Sequence, residues 1–279
     1  MGDGFSVCLC LKHGQLRNRM GKFSLKCFGV GDGWPCADRN HAAFLYRFDK
    51  ASFLVDCGEA LSSSYKASGL SYDAFDRIFI SHLHSDHTAG FFMFIQGLWL
   101  ERRTKALPVH MPAEGIKPFR QMLEAGLIFP ELLQFKMRFE ALRVRRPVTT
   151  NGVRVTPFRS SHLDQLRAAF QKRHPQKFEA FCFLMEAGRL RVGHSADIGA
   201  PEDLAPLLQK PLDLLVCELA HFQPEDLFRY LNGQAIKRIV FIHVARPYWE
   251  KLGKMRQLAT RMLGGIPYSF ARDGEEITL

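Results

Sequence analysis

Residues 81–87 read SHLHSDH, directly after the apolar run RIFI. Three imidazoles and one carboxylate, His82, His84, Asp86 and His87, fall within six residues. The run before them suits a short buried strand, which delivers the cluster at its C-terminal end. Side chains at i and i+2 on a strand end or turn can face one point. His82 and His84 would then hold one cation, and Asp86 with His87 another a few ångströms away. Imidazole with carboxylate suits zinc, iron or manganese better than calcium or magnesium. A lone histidine is more often a satisfied core or surface residue than a ligand. Four such groups at this density after a strand read as a metal site.

Four donors cannot close two sites, so others must come from elsewhere. His162 follows VTPFRSS, Asp197 follows RLRVGHSA and His243 ends KRIVFI. Each stands where an apolar run stops, the place where sheet proteins put functional groups. Taken singly, each could equally be a cap or a hydrogen-bonded core residue.

At 279 residues the chain has length for one large domain or two small ones, and 47% hydrophobic with 24% charged residues is an ordinary globular mixture. No apolar run approaches the roughly 18 residues of a membrane span. FSVCLCL near the start is too short for a signal peptide. Residues 1–21 lack periodicity and read as a detachable extension, with 22–279 as one domain. The seven cysteines are odd in number and show no framework, so reduced thiols and a cytoplasmic location are expected. Cys8, Cys10 and His13 are too few to be read as a structural zinc site. His41, His110, His174 and His194 receive no role.

The net charge of +10 is concentrated: residues 101–178 carry 16 Lys/Arg against 6 Asp/Glu. Such a stretch suits an anionic partner, RNA or a small phosphodiester, with a solvated face or a homodimer contact as the alternatives. Strand-like segments alternate with helical ones expected over 87–101, 115–125, 130–140, PEDLAPLL, QPEDLFRYL and YWEKLGKMRQLATRML. Strand pairs followed by crossover helices, in both halves, fit two sheets with helices packed outside them in one layered α/β domain.

Several segments together resemble the metallo-β-lactamase superfamily, and within it the ribonuclease Z branch. FGVGDGWPCADRNHAAFLYRF looks like the branch's opening glycine turn, FLVDCGE like its second motif, and SHLHSDH is the superfamily signature. SADIG resembles Ser-x-Asp-Thr-Gly with Ile198 for threonine, and KRIVFIH resembles the last ligand strand. The resemblance implies an αββα four-layer sandwich with mixed sheets. It assigns His82, His84 and His162 to one metal, Asp86, His87 and His243 to a second, and Asp197 as the bridge. Asp56 would hold the ligand loop by hydrogen bonds without touching metal. The implied cofactor is two divalent ions, zinc before manganese or iron.

The implied activity is hydrolysis by a hydroxide shared between the metals, with phosphodiesters favoured. Zinc β-lactamases typically lack an aspartate at the Asp197 position. In the branch, a glutamate orients a histidine that protonates the leaving group, roles that fall here on Glu218 and His221; Asp86, Glu218 and His221 are thus the expected catalytic residues. His221 could otherwise cap the helix that follows. Arg246 is a candidate phosphate contact, with a plain surface charge as the alternative. Two departures bear on substrate: the branch's His-Glu-Ala-Thr reads Cys217-Glu218-Leu219-Ala220, and the long glycine-rich arm that grips tRNA is not visible. The competing readings are a thioester, lactone or lactam hydrolase on the same scaffold, and a non-catalytic metal protein.

Overall fold

The apolar runs that the sequence interrupts with turns become fourteen strands in the computed structural model, which describes residues 23–279. The expectations for residues 1–21, including Cys8, Cys10 and His13, lie outside the described residues. The first half forms β1 (Ser24–Gly29), β2 (Ala43–Arg47), β3 (Ser52–Val55), β4 (Arg77–Phe79), β5 (Leu107–Met111) and β6 (Met137–Ala141). The second forms β7 (Val148–Thr150), β8 (Val153–Arg159), β9 (Phe181–Ala187), β10 (Leu190–His194), β11 (Leu214–Leu219), β12 (Ile239–Val244), β13 (Tyr268–Phe270) and β14 (Glu276–Thr278).

Two seven-stranded mixed sheets result, ordered β14-β1-β2-β3-β4-β5-β6 and β13-β12-β11-β10-β9-β8-β7. Between them lies a core of Phe44, Tyr46, Phe53, Val55 and Phe79 from one sheet against Val155, Phe183, Val192, Val216 and Ile242 from the other. The opposite faces of the strands are apolar too. Leu54, Ile78 and Val109 pack under α1 (Leu61–Ala67), α3 (Gly90–Leu100) and α4 (Ile116–Ala125). Leu215, Cys217 and Phe241 pack under α6 (Pro224–Leu231) and α8 (Leu252–Met262). Burial on both faces explains why the strands read as continuous apolar runs rather than alternations. The layers are helix, sheet, sheet, helix, as expected. The remaining helices are short: α2 (Ser85–Thr88), α5 (Asp164–Phe170) and α7 (Arg246–Trp249).

The structure differs from the sequence reading in two places. Residues 130–140 form only a 3-10 turn, Pro130–Leu132, and then β6. Phe135, Met137 and Phe139 alternate with polar residues there, the period of an edge strand that rests one face on the core. PEDLAPLL yields the 3-10 turn Pro201–Leu204 rather than an α-helix. The C-terminal strand β14 leaves the second sheet's half of the chain and pairs antiparallel with β1. The basic stretch also contains a structural cation. Arg103 is fully buried, and its guanidinium donates to the carbonyls of Tyr72, Phe75, Lys105 and Ala106.

Strands β3 to β6 run parallel to one another, as do β10 to β13. Chemistry in such sheets gathers beyond the carboxyl ends of the strands. Asp56 follows β3, His82 follows β4, Asp197 follows β10 and His243 lies near the end of β12.

Candidate metal centre

β4 ends at Phe79, and the chain turns through residues 80–84 into α2, so His82 and His84 precede the helix while Asp86 and His87 sit in its first turn. Close backbone approach makes room for this. Cys57 N donates to His87 O at 2.8 Å. A Cβ on Gly58 would lie 2.3 Å from Asp86 O, and one on Gly90 would lie 2.0 Å from Gly58 O. No side chain fits at either position.

Asp56 is fully buried and organises the cluster. Its Oδ1 accepts from Ser81 N at 2.7 Å, and its Oδ2 accepts from Ser81 Oγ at 2.9 Å and His87 Nδ1 at 2.8 Å. Ser81 thereby spends its only hydroxyl proton on Asp56. His82 Nδ1, 3.0 Å from Ser81 Oγ, must then be the donor in that contact. Both imidazoles are left with Nε2 aimed inward, and neither Nε2 has a protein hydrogen-bond partner. Fixing the outer nitrogen is how proteins orient a metal-binding histidine.

The second sheet supplies the facing donors. Ser160 Oγ donates to Asp197 O at 2.6 Å and accepts from His162 N at 3.1 Å, which joins the two loops. Asp203 Oδ2 accepts from Ser161 N, Ser161 Oγ and Gly199 N at 2.8–2.9 Å. His243 is the extra residue where the β11–β12 register shifts: Glu218 pairs Ile242, and Leu219 pairs Val244. The bulge holds His243 at φ 47°, and Asp56 and Ala196 also have positive φ, at 61° and 46°. Left-handed backbone is unfavourable for such residues, and it clusters where a side chain must be aimed.

The side chains converge in two groups that share one carboxylate. Around Asp197 Oδ2 stand His82 Nε2 and His162 Nε2, each at 3.7 Å, with His84 Nδ1 3.1 Å from His162 Nε2. Around Asp197 Oδ1 stand His87 Nε2 at 3.2 Å and His243 Nε2 at 3.6 Å. Asp86 Oδ2 completes that group, 3.4 Å from His87 Nε2 and 3.1 Å from His243 Nε2. A tetrahedral cation with bonds of about 2.0–2.1 Å has ligand-to-ligand edges of about 3.3–3.4 Å. The separations given, 3.1–3.7 Å, bracket that size, and the donors are imidazole nitrogens and carboxylate oxygens, so the site suits divalent metal.

Charge reports the same thing. Burial holds His82 well below the usual imidazole range, lowers His84 and brings His162 down to about 3. All three present uncharged lone pairs. Burial also opposes charge on His87 and His243, yet Asp197 outweighs it, aided by Asp56 at His87 and Asp86 at His243, and both are raised. Without a cation, protons on these two imidazoles balance carboxylates that a divalent ion would otherwise neutralise.

Glu218, fully buried at the end of β11, accepts from Ile198 N at 2.8 Å and from His221 Nδ1 at 2.9 Å through Oε1. Its Oε2 accepts from Ala220 N at 2.8 Å. His221 Nε2 lies 3.8 Å from Asp197 Oδ2. The His221 side chain is 32% exposed against 2% for Asp197, so it forms the open wall of the site. Burial lowers its proton affinity, but Glu218 more than compensates and lifts the pKa to about 9.

Every sequence-expected donor is therefore brought together, with Asp56 behind them. Arg246 is different: its guanidinium donates to Glu250 at 2.9 Å on the surface. His194 is buried behind the site with Nδ1 2.8 Å from Tyr46 Oη. Sequence reading missed the serines. Ser81, Ser160 and Ser195 each stand one or two residues before a donor, and Ser195 Oγ accepts from Glu218 N at 2.9 Å. A small hydroxyl residue just ahead of His82, His162 and Asp197 was a usable signal, because such residues bond to nearby backbone.

Comparison with known proteins follows this geometry. Residues 23–224 match the family described as Anti-Pycsar protein Apyc1. The chain belongs to the Apyc1 family. Curated relatives of this Apyc1-family chain include Ribonuclease Z of Archaeoglobus fulgidus, 29% identical over 141 residues, which are 50% of this chain and 45% of the relative. Ribonuclease Z of Methanococcus maripaludis is 34% identical over 102 residues, 37% and 32% of the two chains. The chain spans less than half the length of these relatives. Among solved structures, the metallo-β-lactamase fold protein YhfI from Bacillus subtilis superposes with a TM-score of 0.71 at 18% identity, covering 93% of this chain and 100% of that one. The short form of human tRNase Z gives 0.69 at 18%, covering 91% and 98%. The fold of the Apyc1-family chain is the metallo-β-lactamase fold, and the curated relatives that it matches over part of their length carry the name Ribonuclease Z.

Proposed function

We propose that the chain is a dinuclear metal-dependent hydrolase that cleaves phosphodiesters. The observation that carries this reading is the Glu218–His221 pair, which faces the shared carboxylate Asp197 from the open side. A thioester expels a thiolate, which leaves without an acid nearby; an alkoxide leaving from phosphorus gains from one.

His82, His84, His162 and Asp197 would hold one ion, and Asp86, His87, His243 and Asp197 the other, with zinc the best match to tetrahedral imidazole and carboxylate donors. Bound there, the ions supply the positive charge that makes water nucleophilic near neutral pH and offsets charge on phosphoryl oxygens. The chain's own residues do the rest. Asp56 and Ser81 lock the tautomers of His87 and His82. Asp197 spaces the two donor groups with its two oxygens. His221 holds a proton on Nε2 for the leaving oxygen, and Glu218 keeps that imidazole charged and oriented through Nδ1.

An anionic substrate also agrees with the connection between β6 and β7. It leaves the sheet at the donor edge and carries exposed Arg143, Arg145 and Arg146. The relatives named Ribonuclease Z favour RNA. Arg246 is left out, its guanidinium being engaged by Glu250.

The test is hydrolysis of bis(4-nitrophenyl) phosphate by the zinc- or manganese-loaded chain, beside a thioester and a lactone. Turnover of the phosphodiester is expected. Turnover confined to the thioester or lactone would replace this reading with the alternative.

A further inference from the structure

Between β1 and β2 the chain makes a loop over residues 30–42 that is fastened to the donor edge at several points. Val30 O accepts from His243 N at 2.9 Å. Buried Asp32 accepts from Arg246 N at 2.7 Å through Oδ2. Arg39 donates to Val244 O at 3.0 Å and lies over the Trp249 ring at 4.9 Å. Asp273 accepts from Val30 N at 3.0 Å and Asn40 N at 2.5 Å. The loop's two ends are thus bonded to the segments that carry or follow His243.

Within this fastened loop Gly33 passes beside the donors: a Cβ there would lie 3.5 Å from Asp86 Oδ2. The next residue is Trp34, whose side chain is 67% exposed, the most exposed aromatic among the described residues. Pro35 follows and restricts the Trp34 backbone to extended conformations. A single exposed apolar residue is ordinary on a protein surface. An indole held in water one residue from a catalytic carboxylate, on a loop with little freedom to fold it away, is not explained by packing.

We propose that Trp34 is a specificity-determining residue whose indole stacks on an aromatic ring, a nucleobase or aryl group, carried by the phosphate ester. This rests on the phosphodiesterase reading above. A phosphate at the donor groups places the ring attached to it a few bonds away, near the loop on which Trp34 directly follows Gly33. Stacking is tolerant of ring identity, so Trp34 selects aromatic over aliphatic esters rather than one base over another.

Two measurements test it. Phenyl phosphate and methyl phosphate are compared as ligands of the metal-loaded chain by calorimetry. Wild type should prefer phenyl phosphate, and W34A should lose about five- to a hundredfold of that preference, the scale of one base–aromatic stack, while W34F keeps most of it. Independently, 4-nitrophenyl phosphate should quench wild-type tryptophan emission, and W34F should abolish most of the quench. Equal weakening of both ligands in W34A, no aromatic preference in wild type, or quenching that persists in W34F would each overturn the assignment. A chain that binds aromatic phosphates through Trp34 yet hydrolyses no phosphodiester refutes the catalytic reading alone.

Discussion

Glu218 Oε1 accepts a 2.9 Å hydrogen bond from His221 Nδ1 while also accepting one from Ile198 N, the residue after Asp197. One buried carboxylate thus sets both the charge of the imidazole and the position of the loop that carries the shared donor. H221A should lower kcat about 10²–10⁴-fold for a diester with an alkoxide leaving group. The loss should be far smaller with 4-nitrophenolate, which leaves without a proton. Equal losses on both would remove His221 as the acid.

The same pair predicts a pH profile. With its pKa lifted to about 9, His221 carries its proton through the neutral range and loses it as pH rises through that value. The alkoxide-leaving reaction should therefore have an alkaline limb near pH 9, and E218Q should move that limb to lower pH. A pH–rate series on both proteins decides it.

Asp56 acts on the metal only through His87 and Ser81. D56A frees the His87 ring and leaves Ser81 N without its acceptor. Loss of such an outer partner typically weakens metal affinity about 10–100-fold. Competition with a chromophoric chelator should show that loss. Affinity equal to wild type would mean that the donors hold themselves.

Asp197 serves both groups of donors, so its removal should be unlike that of any single histidine. D197A should retain no more than one of two zinc equivalents, and H162A should leave the Asp86–His87–His243 group loaded. Elemental analysis after gel filtration reads this directly. Chelation of wild type should lower Tm, since ions that bind only the folded chain stabilise it.

His110 on β5 reports on stability away from the metal centre. Its Nε2 accepts from Arg77 Nη1 at 3.1 Å, and its ring stacks on Phe79 with centroids 4.9 Å apart. Burial first, and then the Arg77 charge, bring its pKa to about 4. Unfolded, the imidazole titrates near its ordinary value of about 6.5. Between these values the unfolded chain binds a proton that the folded one refuses, so stability falls as pH falls from about 6.5 towards about 4, by roughly 3 kcal/mol in all. Urea titrations of wild type and H110Q across that window should differ in slope in this sense, and should run parallel above it.

The legible part of the site was the part written locally. Residues 82, 84, 86 and 87 lie on one strand end and one helical turn, and their convergence needs only backbone geometry over a few residues. His162, Asp197 and His243 were marked by the ends of apolar runs. Glu218 and His221 became readable through resemblance rather than pattern. The edge strand β6 was misread although Phe135, Met137 and Phe139 alternate with polar residues, because the run is short and was merged with the turn Pro130–Leu132 into one helix.

What the sequence determined alone was the His82–His87 cluster, the strand ends where further donors could stand and the two-sheet layering, because these follow from short periodicities and side-chain chemistry; the full donor set came from the family resemblance. Which oxygen of Asp197 faces which imidazoles, the bulge that turns His243 inward, the return of β14 to β1 and the passage of Gly33 beside Asp86 were decided by the tertiary structure. Each depends on backbone bonds between residues up to some 250 positions apart, such as Ser24 with Thr278, and local pattern carries no information about partners at that distance.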